Sequence, residues 1–136
     1  MGLFNFFKSK QNGNDQFLSE EDLKINMAKQ LQMTPQTMEQ LRKINVTPEK
    51  ELKLEYFFYT NTADKAKSFA AEIENLNYQV EYRQSAGDKK TFIITGWTDK
   101  MKMEDKVVSN WTKEMCELGY KFDCDFDGWG TSPDQK

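Results

Sequence analysis

Residues 123–134 read Asp-Cys-Asp-Phe-Asp-Gly-Trp-Gly-Thr-Ser-Pro-Asp. The run D-x-D-x-D-G, with another carboxylate at its twelfth position, approaches the calcium loop of an EF-hand. There, side-chain oxygens recur at alternate positions and a glycine at the sixth permits a sharp turn. Gly128 holds that sixth position. Three departures count against calcium. Asp134 stands where a bidentate Glu belongs, an alternating strand pattern precedes the loop in place of a helix, and two residues remain for an exiting helix. The expectation is a solvated strand face on which Asp123 and Asp125 point together away from the core. A weak calcium site stays open as the alternative.

Asp127-Gly128-Trp129-Gly130-Thr131 is the second unusual feature. Glycines admit positive φ and close backbone approach, so the turn sets the indole in a fixed pose. Two uses follow. Trp129 either folds back over one end of a sheet and donates its N–H to a carbonyl, or anchors a partner. The cysteines, Cys116 and Cys124, fall in phase with apolar neighbours and read as small hydrophobes. They form no C-x-x-C pair, and two thiols cannot build a four-thiolate metal site. Histidine is absent, which excludes His-based triads, His-ligated zinc and an imidazole general base. No Gly-rich phosphate loop opens a helix. Neither a catalytic residue, a metal set nor a cofactor is expected.

The 136 residues hold 19 Lys+Arg and 22 Asp+Glu, a net charge of −3. The acidic excess lies beyond residue 50. That balance disfavours a grip on phosphates, which relies on Lys and Arg, and suits a basic partner. No apolar run reaches the length of a membrane span, and a cytoplasmic setting with reduced thiols is expected. Leu3, Phe4, Phe6 and Phe7 are too short a run for a signal peptide. Phe6 also stands where a myristoylation motif needs Ser or Thr.

The elements that must position these residues follow from periodicity. Residues 1–17 read as a flexible segment. Ser19 with Asp22 resembles a capping box, and Leu23, Met27 and Leu31 follow at one-face helical spacing. Thr34-Pro35 predicts the start of a second short helix, so residues 18–45 read as a helical hairpin, part of an appendage over 18–49. Alternation predicts strands over 52–59, 78–83 and 120–126, with a β-branched strand over 91–95. Helices are predicted over 63–76 and 102–118, the second closed by Gly119. The order β-α-β-β-α-β over residues 50–131, followed by a tail over 132–136, predicts a ferredoxin-like α+β fold. That is one antiparallel sheet with two helices on one face.

The strand leading into Phe126-Asp127-Gly128-Trp129-Gly130-Thr131, with its Leu118-Gly119-Tyr120 approach, resembles the regulator of ribonuclease activity B family, protein inhibitors of ribonuclease E. The resemblance covers residues 52–131, and its specific part is the terminal motif. It implies a small cytoplasmic α+β regulator without catalytic residues, whose partner is a ribonuclease E-like endonuclease. Two differences stand beside it. The best-known member is strongly acidic, and residues 1–45 have no counterpart in the pattern.

Together these readings predict a non-enzymatic protein-binding regulator. Its partner-binding residues are expected to be Asp123, Asp125, Asp127, Gly128, Trp129, Gly130 and Thr131, with Trp129 dispensable for folding. The alternatives are a small-ligand module, a self-associating domain pairing through an edge strand, or an RNA binder stacking bases on Tyr56, Phe58, Tyr78, Tyr82 and Phe92.

Overall fold

A capping box sets the first helix. In the computed structural model, which describes residues 16–135, the Ser19 hydroxyl accepts from the Asp22 N–H at 3.0 Å. The Asp22 carboxylate accepts in return from the Ser19 N–H at 2.9 Å. Two orphan donors of a helix N-terminus are satisfied by one sequence motif. Of the segment expected to be flexible, residues 1–17, all but Gln16 and Phe17 lie outside the described residues, the Phe-rich start among them.

The helix that follows, α1 (Glu20–Lys43), is one continuous element of 24 residues. The hairpin expected over 18–45 does not form. Pro35 lies inside the helix on its exposed side, where it removes one backbone hydrogen bond at a cost of roughly 3 kcal/mol. The opposite face outweighs that cost. Gln30, Thr34, Met38 and Leu41 are all buried, at spacings that keep them on one stripe running unbroken past the proline. The helix closes on Asn45 at φ 71°. The Val46 N–H bonds back to Leu41 O and the Asn45 N–H to Arg42 O, a Schellman closure that also brings buried Val46 onto Leu41.

The remaining elements are β1 (Glu51–Leu52), β2 (Leu54–Thr60), α2 (Ala63–Glu74), β3 (Gln79–Gln84), β4 (Phe92–Trp97), β5 (Met101–Lys102), α3 (Asp105–Lys121) and β6 (Asp125–Thr131). The described residues therefore hold three helices and two antiparallel sheets, neither closed into a barrel. Strands β1 and β5 form a two-stranded ribbon, and the larger sheet runs β3-β4-β2-β6. Lys102, expected at the start of a helix, belongs with Met101 to the ribbon.

Strand β2 shows why the sheet has two unlike faces. Leu54, Tyr56, Phe58 and Thr60 are fully buried, while Glu55, Phe57 and Tyr59 between them are half-buried. The inner residues meet α2 and α3: the Phe58 ring lies 4.6 Å from Phe69 and 5.0 Å from Phe126, and Trp111 packs edge-on against Phe126. Helix α1 packs on α3 and reaches β6, so it lies along the β6 edge. Met38, Leu41 and Val46 share one core cluster with the strand residues.

The junction between α3 and β6 differs from expectation. Helix α3 continues to Lys121, and Gly119 lies inside it. Glycine is needed there for close approach: a Cβ would stand 2.5 Å from the Cys124 carbonyl oxygen and 2.8 Å from the Phe58 ring. The helix is closed by Asp123 at φ 61°, with the Cys124 N–H bonding to Gly119 O and the Asp123 N–H to Tyr120 O. Residues 120 and 121, expected in a strand, are helical.

Candidate functional site

Strand β6 is an edge, and its pairing with β2 is interrupted. Phe57 faces Gly128 and Phe58 faces Phe126, so Asp127 is the extra residue of a bulge. Gly128 adopts φ 141°, a conformation nearly closed to side-chain-bearing residues. Beyond the bulge, alternation sends Trp129 inward, opposite Tyr56. Gly130 is left on the outer face, opposite Glu55. Both glycines of the motif thus stand beside the outward Phe57 and Glu55, and the lane they occupy carries no side chain. A Cβ on Gly130 would meet nothing within 4 Å.

Trp129 is tucked against the helices. Its ring meets Trp111 edge-on at 6.5 Å, and its indole Nε1–H donates to Thr34 Oγ1 at 3.2 Å. Thr34 lies 3.2 Å from Thr112 Oγ1, which donates to Val108 O at 2.8 Å. The indole can only donate and the carbonyl can only accept. The chain therefore has one consistent direction, from Trp129 through Thr34 and Thr112 to Val108. This realises the fold-back reading of Trp129, with a hydroxyl in place of the expected carbonyl.

Helix α1 also covers the exposed carbonyls of the bulge. Asn26 Nδ2 donates to Phe126 O at 2.7 Å, and Gln30 Nε2 to Asp127 O at 3.2 Å. An edge strand is blunted by side-chain amides rather than by another strand. Sequence reasoning missed Asn26, Gln30 and Thr34. The one signal was phase, since Gln30 and Thr34 fall on the same stripe as Met38 and Leu41.

The three aspartates do not gather. Asp123 is committed to the fold: its carboxylate accepts from the Phe17 and Leu18 N–H groups at 2.6 and 2.8 Å and pairs with Lys65 Nζ at 2.6 Å. Its expected place on a shared solvent face with Asp125 is overturned, because the left-handed turn at Asp123 precedes the strand. Asp125 is half-buried and accepts from Asn26 Nδ2 at 3.1 Å. Burial pushes its carboxyl above the usual range, the neighbouring charges of Asp127 and Asp22 add to the effect, and Lys29 opposes it. Asp127 is exposed. Among the described residues no three potential ligands lie close enough to hold a metal ion. Thr131 Oγ1 donates to Lys53 O at 2.8 Å and accepts from Gln135 Nε2 at 3.0 Å, fastening the end of the strand.

Cys116 and Cys124 are free and buried, and burial pushes each thiol up to about 12. Of the aromatics proposed for base stacking, Tyr56 and Phe58 are fully buried. Tyr78 and Phe92 pack against the core cluster, and Tyr82, opposite Ile94 on the same face, is 41% exposed. The outward aromatics are instead Phe57, Tyr59 and Trp97. No helix of the described residues is long and apolar enough to cross a membrane.

A mixed α/β unit emerges whose terminal strand is bulged, glycine-bared on its outer side and locked inward by a tryptophan. The chain belongs to the family described as Regulator of ribonuclease activity B, whose family model matches residues 31–131. The match begins inside α1, well before residue 52, and includes Thr34, whereas Asn26 and Gln30 lie just ahead of it. None of the curated proteins compared with the chain matches it.

Proposed function

We propose that this protein is a non-catalytic regulator that binds a ribonuclease and alters its action, as the family description implies. The partner class is a ribonuclease E-like endonuclease, met in the cytoplasm. The working unit is the regulator domain over 50–131, with the helical segment over 18–49 before it. The strand order β3-β4-β2-β6 with antiparallel neighbours supports reading that domain as ferredoxin-like.

The observation that carries the reading is the division of labour within the terminal motif. Asp123, Trp129 and Thr131 hold the turn. Asp125, Asp127, Gly128 and Gly130 present a lane that is bare of side chains and bordered by carboxylates. An acidic rim steers a basic partner towards it, and the net charge of −3 does not oppose that approach.

The test is a pull-down from host lysate with wild type, Asp127→Lys and Gly130→Lys, each shown to be folded by circular dichroism. The ribonuclease is expected with wild type and lost with both variants. A folded wild type that retains no ribonuclease overturns the reading. Retention by both variants moves the contact away from the terminal strand.

A further inference from the structure

We infer that the cleft between α1 and the β6 bulge receives an arginine side chain from a protein partner. The inference rests on the protein-binding reading above and names the chemistry of one contact. The cleft holds about 200 Å³ and is bounded by Gln30, Met33, Thr37, Phe57, Asp127 and Gly128. It exists because Gly128 contributes no side chain to it.

Gln30 is the decisive group. It is 3% exposed. Its Nε2 has three acceptors, Asn26 Oδ1 and the carbonyls of Phe126 and Asp127, at 3.2–3.4 Å. Those contacts fix the amide orientation. Oε1 therefore faces the cleft, 3.8 Å from where a Gly128 Cβ would stand, and no donor among the described residues reaches it. A buried carbonyl oxygen without a donor is costly and is normally satisfied.

The other groups at the opening narrow the occupant. The Asp127 carboxylate is exposed and accepts only. Phe57 offers a ring bordering the cleft, and Met33 is 43% exposed beside it. The site therefore asks for several donors, a positive charge, a flat head and an apolar stem. Guanidinium meets all four, whereas an ammonium is a point charge that does not stack. A nucleic-acid strand would bring phosphates towards Asp127 and Asp125, which disfavours it.

The test is a titration of the full-length ¹⁵N-labelled protein with the peptide acetyl-Gly-Ala-Arg-Ala-Gly-amide. Its citrulline counterpart and a uridine tetranucleotide are titrated in parallel. The arginine peptide is expected to shift the Gly128 amide and the Gln30 side-chain NH₂. The citrulline peptide, lacking the charge, should bind about tenfold or more weakly, and Asp127→Asn should weaken the arginine peptide in the same direction. Equal binding of both peptides, shifts confined to another face, shifts of these signals by the tetranucleotide, or no shift at millimolar peptide each overturn the inference. The pull-down judges the regulator reading separately. A ribonuclease captured by a protein that ignores the arginine peptide removes this contact alone.

Discussion

Two glycines separated by one residue do different work in β6, and substitution should tell them apart. A Cβ on Gly128 would meet Gln30 Oε1 at 3.8 Å, an ordinary van der Waals contact, but the residue sits at φ 141°. Gly128→Ala is expected to cost about 1–3 kcal/mol from backbone strain. Gly130 has open space and requires no left-handed backbone. Gly130→Ala should leave stability within about 0.5 kcal/mol of wild type. Urea denaturation of both variants checks this. A Gly130→Ala protein that is equally stable yet loses its partner would show that this glycine serves the surface. A Gly128→Ala protein as stable as wild type would mean that the bulge relaxes without loss.

Between elements, the contact that decides the architecture is the hydroxyl chain joining α1, α3 and β6. Thr34 is 1% exposed, accepts from Trp129 and donates onward to Thr112. Thr34→Val keeps the shape but removes both roles, and should cost about 1–2 kcal/mol. Thr34→Ser should recover most of that loss. In a double-mutant cycle, Thr34→Val and Trp129→Phe should be less than additive, because either one breaks the same bond. Full additivity would show that the indole hydrogen bond contributes nothing. This scale also shows where the sequence was legible. The capping box at Ser19, the alternation of Leu54, Tyr56 and Phe58, and the stripe of α3 each reflect a period that local packing imposes, and each formed. The hairpin at Thr34-Pro35 did not, because local proline chemistry was overruled by a buried face that only α3 completes. The end of α3 was misplaced for a related reason. Gly119 resembles a C-cap, but tertiary crowding by Cys124 and Phe58 requires it, and Asp123 closes the helix instead. The terminal motif was readable as a site of interest. Its partners Asn26, Gln30 and Thr34, roughly a hundred residues earlier, carry no motif and were not.

At the scale of the whole molecule, buried groups report on global opening. Cys116 is 2% and Cys124 0% exposed, and both thiols are pushed up to about 12. Native protein at pH 8 should resist iodoacetamide, and the labelling rate should rise with urea in step with unfolding. Fast labelling without denaturant would show that the core opens locally. Asp125 sets the pH response. Its carboxyl is raised in the folded state, first by burial and then by Asp127 and Asp22, so the fold binds that proton more tightly than the unfolded chain does. The associated stabilisation is full below the ordinary carboxylate range, about pH 3.9, and is lost as pH rises through the raised value. Asp125→Asn removes the titration and keeps an oxygen that can accept from Asn26. The variant should therefore be more stable than wild type at pH 7, with the gap closing as both are taken down towards pH 4. Denaturation curves at the two pH values measure the gap. A variant less stable at pH 7 would show that the ionised carboxylate gains more from Asn26 and Lys29 than it loses to burial and its acidic neighbours.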